Sequence, residues 1–104
     1  MFGFGNMGGM MGKMMAAMQK FQAVKSELAA KSLHFTEGSG DATVELFANG
    51  LAEVSRVEIA PALLVPERKA ELEALTARVV NQLSEATKNE LKMRMMDFAK
   101  DIGG

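Results

Sequence analysis

The chain has 104 residues, no cysteine and one histidine, and its formal net charge is −1 at pH 7. Without cysteine it forms no disulfide and no thiolate metal site, and a net charge near zero excludes overall basicity as a source of nucleic-acid affinity. No apolar run approaches the roughly 20 residues of a transmembrane helix, so we expect one small globular domain that does not span a membrane.

The first segment is rich in glycine and methionine and reads MFGFGNMGGMMGKMM over residues 1–15. Residues 3–8 match the dinucleotide-binding pattern G-x-G-x-x-G, but that pattern functions only between a strand and a helix, and two residues are too few for a strand. No cysteine or histidine lies near the methionines to support a copper site, whereas methionine fills irregular packing gaps well. We predict a flexible tail over residues 1–12 and a packing role for the methionines.

A long amphipathic helix is predicted over residues 10–31. Its apolar residues recur in alternating steps of three and four, at Met7, Met10, Met14, Ala17, Phe21, Val24 and Leu28. No glycine or proline interrupts residues 14–32, and the methionine, alanine, lysine and glutamine found there favour helix. A lone helix of this length needs a partner for its apolar stripe.

Turn signals divide the middle of the chain into three strands, predicted over residues 33–37, 41–49 and 54–60. Val44 and Leu46 alternate with polar residues on the second strand, which ends at an Asn-Gly turn. On the third strand, Val57 and Ile59 are expected to point inward. Val54 breaks the alternation, which indicates a bulge or an irregular strand start.

Two prolines end the sheet, and helices are predicted after them over residues 67–88 and 90–102. The buried stripe of the first runs out near Lys88. A rotated stripe then begins at Leu91 and continues through Met95 and Phe98, so we expect a kink or break between the two helices. The predicted class is α+β in the order α-β-β-β-α-α, with one small antiparallel sheet and a single domain over residues 13–104.

Basic residues concentrate in the first and last helices. They are Lys13, Lys20, Lys25, Lys31, Lys88, Lys92, Arg94 and Lys100. A solvated, solubilising surface is the common reason for such residues. A binding surface is the alternative, and it becomes more plausible if the two helices pair through one packing surface. We hypothesise that Met14, Met18, Phe21 and Leu28 pack on Leu91, Met95 and Phe98.

No arrangement of residues indicates catalysis. His34 has no serine and acid beside it in any recognisable pattern, and a single histidine is weak support for a base. Glu45 and Glu58 fall on the outward faces of their strands, where carboxylates are normally solvated. We therefore predict no enzyme activity, no metal, no cofactor and no small-molecule substrate.

The order of these segments resembles the YbaB/EbfC family of nucleoid-associated proteins over nearly the whole chain. The most specific matches are VELFANG at residues 44–50, RVEIAPALL at residues 56–64 and Asn81 within VVNQ. The glycine-rich MFG start and GSG before the second strand agree with it. Two departures are Ala60, where an aspartate usually precedes the proline, and the overall charge, which is not basic.

The resemblance implies a tweezer-like homodimer, with sheets joined across the dimer and with first and last helices that contact DNA. It would use the eight basic residues named above. The function expected is a bacterial, cytoplasmic, nucleoid-associated protein that contacts the phosphates of double-stranded DNA with little sequence preference, organising DNA or modulating expression. The alternative is a protein-interaction module whose Met-rich helix binds another protein.

Overall fold

The computed structural model describes the backbone of residues 2–103 and the side chains of residues 9–100. In chain order, its elements are α1 (Phe2–Ala30), β1 (Ser32–Ser39), β2 (Ala42–Asn49), β3 (Val54–Ile59) and α2 (Lys69–Gly103). Two short 3-10 turns, Pro61–Leu63 and Pro66–Arg68, connect β3 to α2. The predicted α+β class and three-stranded antiparallel sheet are confirmed.

The three strands form a meander in the order β1-β2-β3. Gly38 near the end of β1 and Gly40 in the turn that follows both have positive φ, as the glycines in that segment predict. The pairing of β2 with β3 shifts between Phe47 and Ala48, which places Val54 opposite Ala48. This shift confirms the irregularity predicted from the broken alternation at Val54.

The core lies between α2 and one face of the sheet. Val44 and Leu46 point from β2 towards Leu75, Val79 and Leu83 of α2. The strand repeat of two and the helix repeat of about 3.6 bring apolar residues of both elements into one cluster. Because the alternation on β2 is regular, each of its core-facing side chains is buried.

The third strand, β3, is not covered by α2. Val57 and Ile59 stand opposite Leu46 and Val44, so they share the core face of the sheet. They are nevertheless exposed, because α2 packs against β1 and β2. The prediction that Val57 and Ile59 are buried is therefore wrong for a single chain.

The helix bounds differ from the prediction at two places. α1 begins at Phe2, so the predicted tail of residues 1–12 lies, from Phe2 on, within this helix. α2 runs without a break from Lys69 to Gly103, where two helices were predicted. The apolar stripe rotates along α2 because its first half packs on the sheet while its second half approaches α1, and this change of partner requires no kink.

The second half of α2 lies antiparallel to α1. Glu27 of α1 pairs with Arg94, and Lys31 pairs with Glu90, so residue numbers rise on one helix as they fall on the other. The protein measures 75 × 19 × 18 Å along its principal axes. We call the paired helices that project from the sheet, α1 and the part of α2 beyond residue 87, the arm.

Candidate nucleic-acid interface

An ion-pair network joins the two helices at the base of the arm. Arg94 Nη2 lies 2.5 Å from Glu27 Oε1, and Arg94 Nε lies 3.2 Å from Glu90 Oε1. Lys31 Nζ lies 3.6 Å from the same Glu90 oxygen. Two acids and two bases thus neutralise one another where α1 meets α2.

The network changes the acid–base behaviour of its members. The hydrogen bonds from Arg94 hold the pKa of Glu27 below its ordinary value, and the charges of Arg94 and Lys31 act in the same direction. Hydrogen bonds to Glu27 and then Glu90 raise the pKa of Arg94. The Glu27–Arg94 pair is therefore fully charged at neutral pH.

Some of the residues predicted to contact DNA already interact with other side chains. Lys31 and Arg94 already have carboxylate partners, and Lys20 is also engaged in an interaction. A phosphate that contacted Lys31 or Arg94 would compete with an acid already in place. In the sequence, Glu27 and Glu90 stand among the basic residues of the first and last helices, but the sequence does not show which bases they pair with.

Five predicted lysines form no ion pair with any residue that the structure describes. They are Lys13, Lys25, Lys88, Lys92 and Lys100. Lys88 and Lys92 border a shallow groove on α2 with Leu91, Met95 and Met96. On α1, Lys25 is eleven residues from Met14, so at about 100° per residue it lies within about 20° of that side chain. Lys25, Lys88 and Lys92 accordingly share helix faces with apolar residues.

The apolar stripes of the arm do not cover one another as predicted. Leu28 is buried and Phe98 is partly buried. The other members of the predicted packing set are exposed, namely Met14, Met18, Phe21, Leu91 and Met95. The reason is that the contacts between the two helices are confined to the base of the arm, at Glu27, Glu90 and Arg94, so their apolar faces farther along the arm stay uncovered.

The sheet face opposite α2 carries a stack that was not predicted from the sequence. The His34 ring lies parallel to Phe47, with centroids 4.4 Å apart, and the Arg56 guanidinium carbon lies 4.2 Å from the Phe47 centroid. His34 Nε2 also lies 3.1 Å from Glu45 Oε1. The strand register places His34, Phe47 and Arg56 side by side on three neighbouring strands. All three point to the outer face of the sheet, so the alternation of each strand, together with the strand pairing, was the signal that could have predicted this stack.

The described part of the chain offers no other recognisable site chemistry. Among its residues, no cluster of three or more His, Cys, Asp or Glu side chains could hold a metal ion. No helix in this described part is long and apolar enough to cross a membrane. The basic and apolar arm is therefore the candidate binding surface of the described residues.

Comparison with known proteins identifies relatives across nearly the whole chain. The model of the YbaB/EbfC DNA-binding family matches residues 3–102. A nucleoid-associated protein of Pelotomaculum thermopropionicum is 33% identical over 101 residues, covering 93% of this chain and 91% of that protein. A nucleoid-associated protein of a Sulfurovum species is 35% identical over 96 residues, covering 91% and 92%.

A solved structure shares the fold. The crystal structure of an uncharacterized protein from Helicobacter pylori aligns with a TM-score of 0.71 and 20% sequence identity. The alignment covers 91% of this chain and 94% of that one. At this identity the likeness concerns the arrangement of helices and strands alone.

Proposed function

Because this chain belongs to the YbaB/EbfC DNA-binding family, we propose that it works as a homodimer whose arms contact the phosphate backbone of double-stranded DNA. The family is defined by DNA binding and is not an enzyme family. We further propose that the protein acts in the cytoplasm on the nucleoid, where it organises DNA or modulates expression, as the names of its relatives suggest.

The observation that carries this proposal is the set of lysines without an ion pair among the described residues, on the long helices of a DNA-binding family member. A lysine without a carboxylate partner binds a phosphate without first breaking an ion pair, and it releases counterions from the DNA when it does so. Lys13, Lys25, Lys88, Lys92 and Lys100 meet this condition among the described residues, whereas Lys31 and Arg94 do not. We therefore assign the larger share of DNA affinity to these five lysines, and we choose Lys25, Lys88 and Lys92 among them for the test.

Little sequence preference is expected from this surface. Lysine contacts phosphate as a point charge, and reading bases in the major groove normally uses arginine, asparagine or glutamine in bidentate hydrogen bonds. Within the described part of the arm, the basic residues that form no ion pair are all lysines. Two duplexes of equal length and different sequence should therefore bind with similar affinity.

The test is a titration of labelled duplex DNA at two salt concentrations. The variant Lys25→Gln/Lys88→Gln/Lys92→Gln should weaken binding by about ten- to a hundredfold. It should also flatten the log–log salt dependence by about 0.9 for each DNA phosphate that is no longer neutralised. The matched control, Arg56→Gln/Lys69→Gln/Arg78→Gln, removes the same charge from the body of the protein. Equal affinity of the two triple variants would refute the assignment.

A second candidate function follows from the exposed methionines. Met10, Met11, Met14, Met15 and Met18 all lie on α1 and are each more than 60% exposed. Exposed methionine-rich helices suit adaptable protein surfaces. This function, binding another protein through α1, predicts that Met14→Ser/Met18→Ser removes a co-isolated partner while DNA affinity stays unchanged. Loss of DNA affinity in that variant would instead place the methionines in the DNA-binding function.

A further inference from the structure

One face of α2 within the arm combines exposed apolar side chains with lysines. The groove on this face has a volume of about 370 Å³, and its lining includes Leu91, Met95 and Met96 together with Lys88 and Lys92. The three apolar side chains are 53%, 63% and 56% exposed, in that order. At about 100° per residue, all of these residues lie within about 80° of Lys88 around the helix. We call this feature the α2 groove.

The acids of this part of α2 lie on the opposite face. Within residues 88–100, all of which the structure describes, the carboxylates are those of Glu90 and Asp97. They lie about 200° and 180° around the helix from Lys88. Glu90 is also engaged by Arg94, whose Nε lies 3.2 Å from its carboxylate. The lysines of the α2 groove therefore share their face of the helix with no acid of this segment.

Contact with DNA phosphates does not account for the apolar part of the α2 groove. A phosphate contacts a lysine ammonium as a charge, and it gains nothing from Leu91 or Met95. Exposed methionine, by contrast, suits surfaces that adapt to an apolar partner. A ligand that uses both the apolar and the cationic groups of the α2 groove must itself be apolar and acidic.

The spacing of the lining residues fits an α-helix as this ligand. Leu91 and Met95 are four positions apart and form an apolar row along α2. Lys88 and Lys92 have the same spacing and form a basic row beside it. From Lys88 to Ala99 the α2 groove extends over about 16 Å, or three helical turns. Helices pack by placing the side-chain rows of one into the grooves of the other.

We infer that the α2 groove binds an acidic amphipathic α-helix of another protein. The apolar stripe of that helix covers Leu91 and Met95. Its carboxylates, on the flank of the stripe, pair with Lys88 and Lys92. Because these two lysines are also proposed to contact DNA, the bound helix excludes DNA from them. This competition rests on the proposed function, whereas the binding of the helix does not.

The arrangement of charge favours an acidic helix over an anionic membrane. A helix that lies in a membrane surface carries its lysines on the polar face, opposite the apolar one. On α2, Lys88 and Lys92 lie among the apolar residues, and Glu90 and Asp97 occupy the opposite face. Inserting the apolar face into lipid would bury the lysines and turn the acids towards the solvent. Carboxylates of a partner helix pair with the lysines where they are.

The first test is the binding of a synthetic peptide, measured by fluorescence anisotropy. The probe is a labelled helical peptide of leucine, alanine and glutamate, with one leucine stripe flanked by the glutamates. Its control has the same composition in an order that spreads the leucines around the helix. The probe should bind at least about tenfold more tightly than the control. Equal binding of the two peptides, or binding of phosphatidylglycerol vesicles but not of the probe, would overturn the inference.

The second test compares two methionines of α2 that differ only in the face they occupy. Met95 and Met93 are 63% and 61% exposed, so replacing either leaves the core intact. Met95 lines the α2 groove, whereas Met93 lies about 140° around the helix from Lys88. Met95→Ser should weaken binding of the probe about tenfold, and Met93→Ser should leave it unchanged. Equal effects of the two substitutions would contradict the inference.

The third test separates the α2 groove from the DNA-binding function. The probe, added to protein bound to labelled duplex DNA, should displace the DNA from the wild type at about tenfold lower concentration than from Met95→Ser. Displacement at equal concentrations would show that the probe acts only as a polyanion, and the inference would fail. If the wild type binds the probe but no DNA, the proposed function fails and the assignment of the α2 groove stands. DNA binding without probe binding gives the reverse conclusion.

Discussion

Arg94 of α2 donates two hydrogen bonds to Glu27 of α1, at 2.5 and 3.2 Å, across 67 positions of the sequence. The planar guanidinium matches a carboxylate in this two-bond arrangement and thereby fixes the orientation of the two groups. Arg94 also reaches Glu90 on its own helix. One side chain therefore sets how the arm helices lie against each other at their base.

Removing Arg94 should loosen α1 from α2. In Arg94→Gln, Glu27 and Glu90 lose the cation between them, so we expect amide hydrogen exchange in the second half of α1 to become several-fold faster. Lys92→Gln removes a neighbouring charge that has no ion pair among the described residues and should leave exchange unchanged. Identical exchange in the two variants would show that the pair does not hold the arm.

The arm should be less stable in acid. Arg94 lowers the pKa of Glu27 from its ordinary value of 4.5, so the folded protein binds fewer protons at this group than the unfolded chain. The stabilisation is present above that ordinary value and is lost as pH falls through the lower folded-state pKa. Between about pH 5 and 3, the melting temperature should fall more in the wild type than in Glu27→Gln.

Glu71 provides an internal comparison for that experiment. Arg68 Nε donates to Glu71 at 2.8 Å and lowers the pKa of this second carboxyl. Glu27→Gln retains this pair, so part of the acid sensitivity should persist in the variant. Sensitivity that is unchanged by Glu27→Gln would assign the acid effect to groups outside the arm.

Truncating the core should be far more damaging than truncating the arm. Leu46→Ala leaves a cavity beneath α2 and should lower the free energy of unfolding by about 2–5 kcal/mol. Leu91 is exposed on the arm, and Leu91→Ala should change the free energy by less than about 0.5 kcal/mol. Urea titration followed by circular dichroism measures both. A large destabilisation in Leu91→Ala would mean that the arm is covered by a partner.

Two glycines should respond in opposite directions to alanine. The backbone nitrogen of Gly50 donates to the oxygen of Leu28 at 2.8 Å, and a Cβ on Gly50 would lie 2.7 Å from that oxygen. Gly50→Ala should therefore displace the end of α1 from the sheet and destabilise the protein by about 1–3 kcal/mol.

Gly12 is the matched control for that substitution. It lies in α1 with open space around the position of a Cβ. Gly12→Ala should increase helix stability by up to about 1 kcal/mol, because alanine favours helix over glycine. Thermal melts of the two variants should shift in opposite directions, and a shift in the same direction would contradict the described close approach at Gly50.

Local patterns predicted the elements better than their limits. The alternation around Val44 and Leu46 predicted β2 and its buried face, and the break at Val54 predicted an irregular pairing. The rotated stripe after Lys88 predicted a break that α2 does not have. Such a rotation can mean a change of packing partner as well as a kink, and the sequence alone does not distinguish these causes.

The basic residues of the candidate site also show what local patterns predict and what they do not. The sequence placed Lys20 and Lys31 on the first predicted helix and Lys88 and Lys92 near the last. It provided no means of separating a lysine that pairs with an acid on another helix from one that does not. That distinction, on which the DNA-binding proposal depends, required the positions of Glu27 and Glu90.

The sequence by itself determined the secondary structure types, the face that each strand presents to the core and the family to which the chain belongs, because these depend on short-range periodicity and on motifs. The tertiary structure decided that Arg94 neutralises Glu27, that α2 leaves the methionines of α1 exposed and that Val57 is uncovered beside a buried Leu46. Those outcomes depend on the rotation and offset of one element against another. Rotation and offset are set by contacts between residues far apart in the chain, which no local pattern records.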